Sequence, residues 1–204
     1  MMELGELAQT RLIALAVVLA IVGAWALSRA SDRRRARRFA DLAAALDREV
    51  VRESENRSRF TVEVDGREVE VRHQHFGRGA GATSSPGWQV LTSVPLRGVS
   101  ELHSALIAPR LGRGRPIDPR DEDFERRFRI HDLGMPLRAG WLGPRVRAAL
   151  AHFYAMEMPL ATLDLEAARL VHRGSEALLR VDAAAVRELI ERQVALAETL
   201  ERAL

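Results

Sequence analysis

Sixteen consecutive residues near the N-terminus, Leu12 to Leu27, carry no charge and are nearly all apolar. At about 1.5 Å per residue they form roughly 24 Å of helix. The stretch from Ala8 to Ser28 supplies the roughly 20 residues that a membrane span needs if the Arg11 side chain snorkels to the interface. A cluster of arginines then follows within ten residues, consisting of Arg33, Arg34, Arg35, Arg37 and Arg38. The pattern predicts a transmembrane anchor over residues 1–29.

Three interpretations of the apolar run compete: a buried helix of a soluble protein, a cleaved signal peptide and an uncleaved anchor. A soluble helix is rarely so uniformly apolar. Ser28-Arg29-Ala30 loosely resembles a small-x-small cleavage site, but Glu3 and Glu6 precede the run where a signal peptide is basic. An uncleaved single-pass anchor is therefore favoured. Because positive residues stay cytoplasmic, we expect the inner (plasma) membrane, with the N-terminus outside and the soluble domain in the cytoplasm.

Residues 30–55 carry apolar positions at helical spacing. Phe39, Leu42, Ala43, Leu46 and Val50 form one stripe, which predicts a juxtamembrane helix or stalk. The arginine cluster, Arg33 to Arg38, is predicted to lie at the membrane surface. It either binds anionic headgroups or acts only as the topological stop signal. The lipid bilayer is therefore the expected partner of this segment.

From Phe60 the apolar period changes from 3.6 to 2, which predicts strands. Asp65-Gly66 is a type I′ hairpin signal between two of them. A third strand is expected over 88–96 and a fourth over 102–108. The long loops 77–87 and 109–120 are either functional or disordered. Glu53 to Ser58 is polar and predicts a linker.

The C-terminal half alternates between helical and strand patterns. Pro144 opens a predicted helix over 144–155, and Asp182 caps one over 183–203. The residues of the second helix that are predicted to face inward are Val186, Leu189, Ile190, Gln193, Leu196 or Ala197, and Leu200. A hairpin is expected around Arg173-Gly174-Ser175. Residues 56–204 are thus predicted to form one α+β domain, an antiparallel sheet of about six to eight strands packed against two helices. The expected buried aromatics are Phe60, Trp88, Phe124, Phe128 and Phe153.

Composition narrows the function classes. The 204-residue chain has no cysteine and no lysine, which excludes thiolate nucleophiles, Cys-ligated zinc and a P-loop lysine. Residues 29–59 carry ten arginines against six acidic residues, whereas residues 60–204 carry twenty of each. The basicity therefore belongs to the juxtamembrane segment. A neutral domain with few aromatics is a poor nucleic-acid binder, so none is expected as a partner.

Candidate chemistry in the domain is sparse. His73 and His75 share one face of a predicted strand, but a third metal ligand is missing, so they more plausibly line the rim of the core. The acidic cluster Asp118 to Glu125 lacks the spacing of a calcium loop. We therefore predict no catalytic residue, no metal and no cofactor, and no enzyme activity. Whether His73 and His75 meet Asp164, His103 or His172 in the fold is left open.

Two short motifs resemble those of uncharacterised bacterial membrane-anchored proteins. One is D-x-x-F-x-x-x-F-x-[IV], here Asp121, Phe124, Phe128 and Ile130. The other is the P-x-[VL]-R-x-x-L helix, here Pro144 to Leu150. The resemblance follows the order of elements over roughly residues 60–203. It implies a β-rich cytosolic domain and supplies no catalytic residues.

Two functions are compatible with these features. The first is a membrane-tethered cytosolic interaction or scaffold module with a protein partner of unknown identity. The second is a lipid- or small-ligand-sensing domain at the membrane surface, with loops 77–87 and 109–120 as the mouth of its site.

Overall fold

The computed structural model of the protein describes residues 3–77, 87–99, 105–109, 124, 128–132, 141–156, 162–166 and 168–204. Within them the chain forms two compact units, residues 1–40 and 41–204. The helices are α1 (Glu3–Ala45), α2 (Pro144–Tyr154) and α3 (Ala183–Glu201), with a 3-10 helix at Glu176–Arg180. The predicted α+β class is confirmed.

The strands described form one eight-stranded sheet in the order β1-β2-β3-β4-β8-β7-β5-β6, antiparallel throughout. They are β1 (Val51–Ser54), β2 (Arg57–Val64), β3 (Arg67–Phe76), β4 (Gly87–Pro95), β5 (Ala105–Pro109), β6 (Phe128–Asp132), β7 (Thr162–Glu166) and β8 (Arg169–Ser175). Strands β3, β4 and β8 lie at the centre of the sheet, and together with β2 they are its longest strands. The core lies around these central strands.

Helix α1 continues through the apolar run into the basic segment. It is long and apolar enough to cross a membrane by length and composition. Every side chain from Leu15 to Leu27 is exposed. In the second unit, Leu42, Ala43 and Leu46 of the predicted stripe are buried.

The end of the stalk differs from the prediction. Helix α1 ends at Ala45, so the helix predicted over 30–55 is too long, and the predicted linker at 53–58 is wrong. That stretch contains the end of β1, a turn at Glu55-Asn56 and the start of β2. All four residues of β1 are exposed, so the sequence lacks the alternation of apolar and polar positions that predicts a strand.

The hairpin predicted at Asp65-Gly66 is confirmed. Asp65 and Gly66 have φ of 52° and 66°, the two positive values that a type I′ turn requires. Strands β2 and β3 pair with Phe60 opposite Val71 and Val62 opposite Val69. The predicted third strand is β4, and part of the predicted fourth is β5.

The hairpin predicted around Arg173-Gly174-Ser175 is wrong. These residues lie inside and at the end of β8, and Glu176–Arg180 is a 3-10 helix. The true hairpin joins β7 to β8, where Glu166 pairs with Arg169 and Ala168 has a φ of 55°. A positive φ at alanine is uncommon, and Ala168 carries no sequence signal for a turn.

The sheet has two chemically different faces. Strand register places Val71, Val90, Thr92, Leu170 and His172 on one face. Helix α3 packs on this face against β2 and β4, and α2 packs against α3. The opposite face is rich in paired charges. The core prediction is confirmed for Phe60, Phe124, Phe128 and Phe153, which are buried, but not for Trp88, which is only half-buried.

Both C-terminal helices begin as predicted. Pro144 occupies the first turn of α2, and the Asp182 carboxylate accepts a hydrogen bond from the Ala184 amide at the start of α3. The buried stripe of α3 contains every residue predicted to face inward. Its members are Val186, Leu189, Ile190, Gln193, Val194, Leu196, Ala197 and Leu200.

Candidate functional site

The predicted membrane-surface arginines all lie on α1. Arg33, Arg34, Arg37 and Arg38 are exposed, whereas Arg35 is half-buried and donates to the Asp32 carboxylate at 3.0 Å. Within the described part of the chain, the four exposed arginines form no ion pair. Their guanidinium groups therefore keep their hydrogen-bonding capacity for a group outside the chain.

Helical geometry places these arginines on one side of α1. Arg29, Arg33 and Arg37 recur every four residues and form one ridge, and Arg34 and Arg38 form a second ridge beside it. At about 100° per residue the five positions cover roughly half of the helix circumference. The basic character is therefore a continuous surface rather than scattered charge.

The junction between the apolar and basic parts of α1 is marked by Trp25 and Arg29. The Arg29 guanidinium carbon lies 4.9 Å from the centroid of the Trp25 ring, within cation–π range. Trp25 is itself 61% exposed. An exposed tryptophan at the end of an apolar helix is typical of a membrane–water interface.

The two strand histidines have different environments. His73 is buried and stacks on Trp88, with ring centroids 4.4 Å apart. His75 is exposed and meets the same Trp88 ring edge-on at 5.3 Å. Among the described residues, no group of three potential metal ligands comes together. The two imidazoles belong to an aromatic cluster at the end of β3 and β4.

Asp164 and His172, which the sequence left open as partners of this pair, lie on opposite faces of the sheet. In the β7–β8 register Asp164 is opposite Val171, whereas His172 is opposite Leu163. His172 shares its face with His73, but strand β4 lies between their strands. His103 lies outside the described residues. The described part of the chain therefore does not assemble these groups into one site.

His172 is a fully buried imidazole in apolar surroundings. Its ring lies 5.8 Å from the Phe153 ring, and in the part of the chain that is described neither ring nitrogen has a hydrogen-bond partner. Burial lowers the pKa of His172 to about 4, because the charged form is poorly solvated there. At neutral pH it is an uncharged core side chain that carries an unsatisfied polar group.

Asp164 forms the centre of a charged group on the other face. Its carboxylate accepts a hydrogen bond from Arg173 Nε, and Arg173 Nη2 lies 3.1 Å from Glu166. Burial raises the pKa of Asp164, while the hydrogen bond from Arg173 opposes that shift. Asp164 is only 4% exposed, so in this conformation it neutralises Arg173 and does not face solvent.

The two motifs that carry the family resemblance pack against each other. The Arg147 guanidinium carbon lies 5.4 Å from the Phe124 ring centroid, and the Phe128 ring lies 5.1 Å from that of Tyr154. Phe124 and Phe128 are also in contact, at 4.7 Å. These contacts give Phe124, Phe128 and Arg147 of the two motifs a packing role. Asp121, the acidic cluster and most of both long loops lie outside the described residues.

Sequence reasoning missed the long-range polar contacts of Arg67 and Gln193. Arg67, which is 5% exposed, binds Glu201 through two hydrogen bonds, and no local pattern predicts a pairing of residues that lie 134 positions apart. The inward position of Gln193 was predicted from its spacing on α3, but its hydrogen-bond partners on two strands were not.

Comparison of the chain with protein-family models, curated proteins and solved structures found no match. The resemblance in the two motifs therefore stays a prediction.

Proposed function

We propose that the protein is a single-pass protein of the inner (plasma) membrane that holds an α+β interaction module at the cytoplasmic surface. The observation that supports the anchor is the uncovered apolar surface of α1, where thirteen consecutive residues from Leu15 to Leu27 are exposed. Contiguous apolar surface of this extent is rarely left to water in a soluble protein. A bilayer would cover it on all sides.

The charge distribution supports the proposed orientation. Residues 29–59 hold four net positive charges, and residues 1–28 hold one net negative charge. Arginines next to a span stay on the cytoplasmic side. The N-terminus would therefore face outward, and the sheet domain inward.

The anchor is tested by alkaline carbonate extraction of membranes from cells that express the full chain. We expect the protein in the pellet, and we expect the variant Leu19→Arg/Ile21→Arg to be released, because each central arginine costs about 2.5–3.5 kcal/mol of insertion free energy. Val51→Arg is the matched control, since Val51 is an exposed apolar residue outside the apolar helix. Release of the unaltered chain would refute the anchor.

Orientation needs a separate experiment. A reporter that is active only in the cytoplasm, fused after Leu204, should be active, and a reporter active only outside the cytoplasm should be silent. The reverse result would refute the proposed topology while leaving the anchor intact.

An interaction role for the domain is supported by its surface. One face of the sheet carries Arg59, Arg72 and Arg173 beside carboxylates, and Arg169 beside the Ser93 hydroxyl. The edge strand β1 is exposed along its whole length. Proximity labelling with the full chain should enrich a reproducible partner over a control in which α1 anchors an unrelated domain. Equal labelling by both would contradict the interaction role.

A further inference from the structure

We infer that Arg33 and Arg34 bind the phosphates of anionic phospholipids directly, whereas Arg37 and Arg38 lie too far along the helix for direct contact. This inference rests on the proposed membrane anchor. It names a ligand class for the basic surface and divides that surface into two pairs with different roles.

The four arginines stand at different heights along α1. Because the helix is continuous from Leu27 to Arg38, each arginine stands at a fixed distance beyond the last apolar residue. At 1.5 Å per residue, the Cα atoms of Arg33 and Arg34 lie roughly 9–10 Å past Leu27, and those of Arg37 and Arg38 roughly 15–17 Å past it. The headgroup layer is about 5–8 Å thick on each side of the hydrocarbon core.

The direction of the arginine side chains follows from helix geometry. Cα–Cβ bonds in a helix tilt toward its N-terminus, which for this segment is the direction of the bilayer. The long side chains of Arg33 and Arg34 therefore lean back toward the headgroups from just above them. The side chains of Arg37 and Arg38 lean the same way, but their Cα atoms lie at about twice the thickness of the headgroup layer above the hydrocarbon. Screening therefore weakens the surface potential at these two residues.

The guanidinium groups of Arg33 and Arg34 are available to bind a ligand. Arg35, the neighbour of the first pair, is neutralised by Asp32, but within the described residues no carboxylate pairs with Arg33 or Arg34. Both are exposed. A planar guanidinium with five donors matches a phosphate diester by two parallel hydrogen bonds. The first pair thus combines reach, exposure and matching chemistry.

Trp25 and Arg29 supply a second reference level for the proposed span, besides the end of the apolar run. Trp25 would lie at the interface, and Arg29, on the same ridge as Arg33, is held over its ring. One turn further along the ridge, Arg33 then falls at the outer part of the headgroup layer. On this ridge Trp25 would anchor the helix at the interface, Arg29 lies over the Trp25 ring, and Arg33 would bind a phosphate.

The experiment uses the full chain reconstituted in phosphatidylcholine bilayers with a trace of spin-labelled phosphatidylglycerol or spin-labelled phosphatidylcholine. Electron paramagnetic resonance gives the relative association of the two lipids with the protein. We expect a phosphatidylglycerol preference of roughly fivefold, equivalent to about 1 kcal/mol for an arginine at the surface, and we expect it to fall with added NaCl. Symmetric bilayers make the result independent of the direction of insertion.

Paired variants decide the assignment. Arg33→Gln/Arg34→Gln should bring the preference close to one, and Arg37→Gln/Arg38→Gln should leave most of it. Equal losses in the two variants, or no preference in the unaltered chain, would overturn the inference. A preference that inorganic phosphate abolishes but chloride of equal ionic strength does not would also overturn it, in favour of a free-phosphate site. Carbonate extraction of the same variants shows separately whether the anchor itself stands.

Discussion

Arg67 and Glu201 join the first residue of β3 to the last residue of α3 through two parallel hydrogen bonds, with Nη1–Oε1 at 2.6 Å and Nη2–Oε2 at 2.8 Å. Arg67 also donates to the Pro95 carbonyl, and Glu201 accepts from the Arg97 amide. The pair therefore ties the end of α3 to two strands and the loop after β4. The hydrogen bond from Arg67 is the main reason that the pKa of Glu201 is lowered.

Replacing Glu201 by Gln should destabilise the domain by about 2–3 kcal/mol. The change removes the charge that compensates a buried guanidinium, and an uncompensated buried charge is costly. Denaturant unfolding of the detergent-solubilised full chain, followed by tryptophan fluorescence, measures the difference.

Glu198 provides the control for this variant. It lies 3.8 Å from Arg67 but is 38% exposed, so Glu198→Gln should cost less than about 0.5 kcal/mol. Similar losses in both variants would mean that the Arg67–Glu201 geometry is not what stabilises the helix end. Because the folded pKa of Glu201 is lowered, its contribution is present above the unfolded pKa and is lost as the pH falls through the folded value.

His172→Leu should remove part of the acid sensitivity of the domain. The folded pKa of about 4 lies below the ordinary 6.5, so the unfolded state binds more protons between these values and stability falls as the pH drops through this window. Between pH 7.5 and pH 5 the unaltered chain should lose about 2 kcal/mol through His172 alone. Unfolding free energies at both pH values, for both proteins, measure this loss.

At pH 7.5 the same variant should be no less stable than the unaltered chain, because it eliminates two ring nitrogens that have no partner among the described residues. His75→Gln, at an exposed histidine, is the control and should keep the acid sensitivity. An unchanged pH dependence in His172→Leu would show that the imidazole is solvated.

Gly174 explains why the hairpin predicted at 173–175 is wrong. Arg-Gly-Ser has the composition of a turn, but Gly174 lies within β8 because the space beside it is filled. A Cβ atom there would stand 2.1 Å from Leu178 Cδ1 and 3.0 Å from His172 Cε1. The glycine reflects close packing by the 3-10 helix, which local sequence cannot distinguish from a turn preference.

Gly174→Ala should therefore destabilise the domain by about 1–3 kcal/mol through overpacking. Leu178 is buried, so its side chain has little room to move away. In the double variant with Leu178→Ala the two losses should be less than additive, which a double-mutant cycle of unfolding free energies detects. Gly77→Ala, where nothing lies within 4 Å of the added atom, should be close to neutral. Additive losses would show that Gly174 and Leu178 do not compete for space.

Elements with a strong local pattern were predictable. The Asp65-Gly66 turn, the inward stripe of α3 and the capping by Asp182 all follow from local chemistry that the tertiary structure does not override. Strand β1 and the Ala168 turn were not predictable. Every side chain of β1 is exposed, and Ala168 has a positive φ that alanine does not favour. Both elements therefore depend on the neighbouring strands.

The candidate site likewise has features that the sequence predicts and features that it does not. The arginine cluster could be predicted from sequence, because a run of charge beside an apolar span is a local pattern. The difference between Arg33 and Arg35 could not, since it depends on the ion pair with Asp32 and on the exposure of each side chain. The isolation of His172 also depends on what packs around it, which strand alternation alone does not reveal.

Gln193→Leu should cost about 1–3 kcal/mol of unfolding free energy although leucine suits a core position. Gln193 is fully buried and donates to the carbonyls of Thr92 and Leu170, on strands β4 and β8, at 3.0 and 2.8 Å. The Thr92 hydroxyl in turn donates to Gln193 Oε1 at 2.5 Å. Leucine would leave that buried hydroxyl without its acceptor. Adding Thr92→Val should therefore recover part of the loss, and a double variant less stable than the sum of the two single losses would contradict this account of the helix–sheet contact.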